Sequence, residues 1–277
     1  MGDWLMLYVE DLMELSSSTS SAGVLTKWMD PRNNTYIKTS AFNNETKTYH
    51  VEAVMECLAS DIGRLIGVSV VDYWLDELKV ADAKILVCVS EDYKIKTPYR
   101  DKISVTSYLV SRELEGAVHS DRYRNLAAEF PGIRESLDRL IVFDYLIDNY
   151  DRHMRNVELL SLEDGSVRLA PLFDNGSSLL ADWVTEQDLA DLQESEELFE
   201  EHIIHAETPS KCFAHDHRSE LMLVDKSVFR SINLSITDEG WEKVTRKYAQ
   251  YLSPLRLEMI YRLLTTRYSN LLRFASK

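Results

Sequence analysis

Cysteine is scarce in this chain: three in 277 residues, Cys57, Cys88 and Cys212, in unrelated contexts. Neither the even count of a disulfide framework nor the paired spacing of a zinc site is present, so a reducing, cytoplasmic setting fits best. Long apolar runs are missing too, and nothing approaches the roughly 20 residues needed to span a bilayer. The opening MGDWLMLYVEDLMEL breaks its apolar run with acidic charge, which argues against a signal or transit peptide. Met1 and Gly2 begin a myristoylation pattern, but Met6 stands where Ser or Thr is required. Basic charge is in deficit, with 31 Lys and Arg against 46 Asp and Glu and a net charge of −15. A surface of that sign repels polyanions, so neither direct nucleic-acid binding nor an anionic membrane is expected. Glycine-rich phosphate motifs are absent: neither GxxxxGK nor GxGxxG occurs. No GxSxG frame surrounds Ser177 and Ser178, which argues against a hydrolase nucleophile. His202, His205, His215 and His217, with Cys212 among them, match no zinc spacing and read as surface and packing histidines.

What is present suffices for a substantial core, since 45% of residues are hydrophobic and 28% charged. Val24 to Trp28 and Thr35 to Thr39 read as strands joined by the turn residues DPRNN. Apolar residues at Val51, Val54, Leu58, Ile62 and Leu65 predict a helix from His50 to Ile66, closed by Gly67. Val68 to Leu75 and Lys84 to Ser90 complete a β-rich first part, residues 1–90, with an acidic turn between them. Residues 91–277 read as mainly helical. Leu137 to Asp148 is an apolar helix ahead of the turn-like NYDRH, and Val157 to Leu160 with Val167 to Leu169 form a hairpin about Asp164 and Gly165. Glu186 to His202 interleaves acids with leucines as one solvated amphipathic helix. Further helices are expected over Trp241 to Tyr251 and Pro254 to Phe274, the latter capped by Ser253.

The chemistry-bearing pattern is DRHMRN, Asp151 to Asn156, followed by the hairpin and then Asp174 in PLFDNG. Phosphoryl transfer uses that order of parts: an Asp for the acceptor hydroxyl, an Asn five residues on for magnesium, and a second Asp for the metal between phosphates. A hard cation takes oxygen ligands, which Asn156 and Asp174 supply, while Asp151 stays clear of the metal as catalytic base. Either Asp alone would be read as a turn cap. The ordered set points to an ATP- and Mg2+-dependent phosphotransferase.

The segments FDYLIDNYDRHMRNVELL and APLFDNGSSLL resemble the catalytic and metal-binding segments of HipA-type serine/threonine kinases, relatives of phosphatidylinositol 3/4-kinase-like proteins. The resemblance implies an α+β, two-lobed protein-kinase-like fold, with a small β-rich N-lobe and a mainly helical C-lobe. It implies that Lys38 holds the nucleotide phosphates, that Glu52 is its ion-pair partner, and that His153 braces the catalytic loop. It sets the polar stretch Ser16, Ser17, Ser18, Thr19, Ser20 and Ser21 over the phosphates, where autophosphorylation would oppose nucleotide binding. The chain looks like a short form without the family's extra N-terminal subdomain. A protein substrate is implied, and with it an antitoxin partner if the chain is the toxin of such a pair. Two other readings stay open: a lipid or small-molecule kinase, and a nucleotide-binding pseudokinase acting through partner contacts.

Overall fold

The computed structural model describes residues 7–15, 25–45, 47–114 and 119–276. The chain begins with the short strands β1 (Leu7–Tyr8) and β2 (Met13–Glu14), then the hairpin of β3 (Lys27–Asp30) and β4 (Thr35–Thr39). A small ribbon, β5 (Phe42–Asn43) and β6 (Thr48–Tyr49), leads into α1 (Glu52–Ile66), and β7 (Tyr73–Val80) and β8 (Ala83–Glu91) finish the sheet. Its strand order is β1-β7-β8-β4-β3-β2. The hairpin forms where expected, but its first strand starts at Lys27, placing Lys27 directly opposite Lys38. Gly67 takes φ 79°, and its N–H returns to the Arg64 carbonyl, so α1 stops at the left-handed glycine cap the sequence marked.

One strand is displaced from its expected position. The sequence predicted Val68 to Leu75, whereas β7 runs from Tyr73 to Val80 and the supposed acidic turn pairs residue by residue with β8. The reason is tertiary: Val71 N donates to the Leu172 carbonyl and Leu172 N to Ser69, both at 2.9 Å. The valines therefore tie the sheet to the segment that carries Asp174 rather than extending the sheet.

The helical part comes next. Strand β9 (Asp101–Ser104) pairs with β10 (Glu158–Ser161), which pairs with β11 (Val167–Leu169). Around them pack α2 (Val105–Ser111), α3 (His119–Glu129) and the central α4 (Arg134–Ile147). Leu137, Leu140, Ile141, Val142 and Phe143 of α4 are fully buried. At roughly 1.5–3 kcal/mol for each buried apolar side chain, this helix anchors the lobe.

The remaining helices are α5 (Glu186–Glu194), α6 (Glu196–Phe199), α7 (His217–Leu221), α8 (Asp238–Arg246) and the long α9 (Pro254–Ser276). Glu186 to His202 is not one helix. Ser195 leaves helical geometry at ψ 109° and its hydroxyl accepts from Leu198 N, capping a new helix that continues as a π-turn over Glu200–Ile204. Period and charge are the same on both sides of Ser195, so the pattern hid the break. The helix expected from Trp241 starts earlier, at Asp238, and ends at Arg246.

Candidate functional site

The cleft between sheet and helices holds a cavity of about 450 Å³ whose lining includes Lys27, Lys38, Glu56, Asp151, Asp174 and Lys211. Lys38 lies on β4 in the middle of the sheet. Its ammonium lies 2.9 Å from Asp174 Oδ1 and 3.6 Å from Glu56 Oε1. The expected partner was Glu52, one turn earlier on α1. Glu52 lines the same cavity, but its carboxylate accepts from Ala41 N at 3.3 Å and neighbours His50. Glu56, only 2% exposed, points into the cleft.

Burial works to lower the Lys38 pKa, but the carboxylates of Asp174 and Glu56 outweigh it and hold the group well above its ordinary value. Asp174 is the mirror case: burial would raise it, yet the Lys38 and Lys27 ammoniums hold it well below the usual carboxylate range. Lys27 Nζ lies 3.8 Å from the same Asp174 oxygen, and burial, then the charge of Lys38, lowers its pKa. Lys27 falls inside the predicted strand Val24 to Trp28 but gave no signal there as a lone charged residue. The β3–β4 register brings it in.

The segment that carries Asp151 leaves α4 through Asp148, at φ 56°. Arg152, 2% exposed, holds that segment in place. It donates to both Asp144 carboxylate oxygens, at 2.9 and 3.1 Å, to the Phe173 carbonyl at 2.5 Å, and to Asn175 Oδ1. One guanidinium thus joins α4, the Asp151 segment and the Asp174 segment, the planar bidentate geometry that arginine provides. The family resemblance implied that His153 does the bracing. That ring lines the cavity, its Nδ1 is buried without a hydrogen-bond partner among the described residues, and burial, then Arg155, lowers its pKa.

Asp174 adopts φ 61°, a backbone region that Asp tolerates better than most residues. Gly176 stands two residues on, where a Cβ would lie 3.0 Å from the Glu52 carbonyl oxygen and 3.2 Å from Glu56 Oε2. Only glycine lets this segment lie so close to α1.

Asn156 is 2% exposed and its Oδ1 has no hydrogen-bond partner among the described residues. An orphaned buried acceptor is costly, and a cation is one way to satisfy it. Among the described residues no group of three His, Cys, Asp or Glu could hold a metal. The Asn156 amide oxygen is a hard donor of the kind that fits Mg2+, an ion that keeps several water or phosphate ligands and needs few from protein. The Ser16–Ser21 stretch lies outside the described residues. Asp151 receives a hydrogen bond from Lys211, a residue no sequence motif marked.

A second cavity of about 300 Å³ shares Lys27 and Lys38 and extends along β8 to Tyr36, Tyr73, Tyr93 and Phe173. Tyr93 and Phe173 lie nearly parallel, 15° apart at 6.5 Å. Cys57, Cys88 and Cys212 are all buried free thiols. No helix among the described residues is long and apolar enough to cross a membrane.

A curled sheet with one helix, a helical lobe, and a lysine–carboxylate pair across the cleft define a two-lobed protein-kinase-like fold. The crystal structure of a Helicobacter pylori proinflammatory kinase, CtkA, is similar over 98% of this chain and 97% of that one, with a TM-score of 0.69 at 14% identity. No family model and no curated protein sequence matches the chain.

Proposed function

We propose that the chain is an ATP- and Mg2+-dependent serine/threonine protein kinase of the HipA type. The observation that carries the reading is the convergence of Lys38, Glu56, Asp174 and Asp151 on one cavity, with the orphaned Asn156 oxygen in the same catalytic segment. Lys38, held charged by its two carboxylates, and Lys27 bind the phosphates, and the aromatic cavity along β8 takes the base. Asn156 and Asp174 hold the magnesium ion, which when bound neutralises charge on the phosphates. Asp151 takes the acceptor hydroxyl proton as that oxygen bonds to the γ-phosphorus and the bond from phosphorus to the bridging oxygen breaks, releasing ADP. Arg152 keeps the catalytic and Asp174 segments in register, so that Asp151 and Asp174 act on one substrate.

The test is transfer from labelled ATP and Mg2+ to the chain itself or to lysate proteins, beside Asp151→Ala and Asp174→Ala. Protein-bound label lost in both variants supports the reading; label confined to lipid replaces it with a lipid kinase, and nucleotide binding without transfer sinks it. The toxin role belongs to the same proposal. Growth arrest on induced expression, abolished by Asp151→Ala and relieved by a co-expressed partner protein, is its check.

A further inference from the structure

Lys211 reaches Asp151 from 60 residues further along the chain, outside every motif that marks the site. Its loop is built to put it there. The backbone of Lys211 forms a parallel bridge with His153, and Pro209 bridges Asp216 to close the base of the loop. Glu220 on α7, 2% exposed, gathers the loop on one carboxylate oxygen: Ser210 Oγ donates at 2.5 Å, Phe213 N at 2.6 Å and Ala214 N at 3.2 Å. Upstream, Thr208 donates to Asp148 at 2.6 Å, and the buried Arg267 donates to both residues. So the loop hangs from the helix cap that opens the catalytic segment.

The ion pair itself cannot be the reason for this scaffolding. The Lys211 and Asp151 side chains are 54% and 40% exposed, and exposed pairs contribute little to stability. What the contact changes is the presentation of Asp151. Lys211 occupies Oδ1, while Oδ2 receives no hydrogen bond among the described residues.

We propose that Lys211 is a positioning residue for phosphoryl transfer: it pins Asp151 through Oδ1 and turns Oδ2 toward the acceptor hydroxyl. The same ammonium lines the phosphate cavity, supplying positive charge on the acceptor side, away from the Lys38–Asp174 pair. The inference rests on the phosphotransferase reading above.

The experiment measures kcat and KM for ATP at fixed acceptor concentration, nucleotide affinity and Tm for the full chain, Lys211→Met and Lys211→Arg. Lys84→Met, which removes an equally exposed lysine paired with Glu77 on the far hairpin, is the control for charge loss. The expected result is a kcat at least about tenfold lower in Lys211→Met, with ATP affinity and Tm unchanged, substantial recovery in Lys211→Arg, and parent activity in Lys84→Met. A Lys211→Met kcat within twofold of the parent overturns the inference and leaves the kinase reading intact. Equal loss in the Met and Arg variants, or a fall in ATP affinity or Tm that accounts for the loss, also overturns it. No transfer by the parent chain removes the kinase reading and this inference together.

Discussion

Lys38 Nζ lies 2.9 Å from Asp174 Oδ1 although 136 positions separate them in the chain. The contact spans the cleft between the sheet and the segment that follows β11, and Glu56 closes the triangle from α1. The two carboxylates keep Lys38 charged and oriented in the cleft, and the lysines keep Asp174 ionised.

Glu56, rather than Glu52, is the carboxylate that orients Lys38. Glu56→Gln is expected to weaken nucleotide binding about tenfold, corresponding to about 1.5 kcal/mol for a lost contact between charged groups. Glu52→Gln should change it less than about threefold. Calorimetric titration with ATP checks both, and equal effects would restore Glu52 as partner.

Gly176→Ala introduces a Cβ 3.0 Å from the Glu52 carbonyl and 3.2 Å from Glu56 Oε2. Overpacking of this kind costs roughly 1–3 kcal/mol, and here it pushes α1 and Glu56 away from Lys38. Reduced Tm together with a raised KM for ATP is the expected pair of results; an unchanged KM would mean that the helix does not transmit the shift.

Arg152→Met leaves Asp144, 1% exposed, without its bidentate partner. Removing one member of a buried pair costs about 3–5 kcal/mol, and Arg152→Lys recovers only part of this because the fork geometry is lost. Urea denaturation of the three proteins gives the comparison.

Glu220 sets a pH dependence. Burial pushes its carboxyl up to about 7, with Asp144 adding to the rise and the donors from Ser210, Phe213 and Ala214 opposing it. The folded chain therefore keeps this proton after the unfolded chain has lost it near 4.5, so stability falls as pH rises from there to about 7 and levels off above. The contribution is on the order of 3 kcal/mol, since each tenfold gain in proton affinity on folding is worth about 1.4 kcal/mol. Glu220→Gln should flatten that slope in urea unfolding at pH 5, 6, 7 and 8, and an unchanged slope would assign the dependence elsewhere.

Local signals carried much of the architecture. The 3.6-residue spacing from Val51 to Leu65 and the glycine at 67 marked α1 because a helix buries one face and a left-handed cap favours glycine. The β4 strand and the hairpin of β10 and β11 were legible from β-branched residues between turn residues. Where neighbours in space compete with local pattern, legibility ended. The valines at 68, 70 and 71 look like a strand, but Val68 N returns to Gly63 at the end of α1 while Val70 and Val71 pair with the Leu172 segment, and Ser195 ends a helix whose periodicity runs straight past it.

The site divides along the same line. The order of Asp151, Asn156 and Asp174 was legible before any fold was known, because a short loop and a hairpin fix their separation along the chain. Lys38 was legible too, through the resemblance. Packing in three dimensions was needed to select Glu56 over Glu52 as the carboxylate facing Lys38, to bring Lys27 beside it, to give the bracing to Arg152 instead of His153, and to set Lys211 against Asp151. Those choices depend on which turn of a helix lies level with Lys38, which strand register forms, and where a distant loop is hung. Each is set by contacts between segments far apart in the chain, and no local pattern of residues records it.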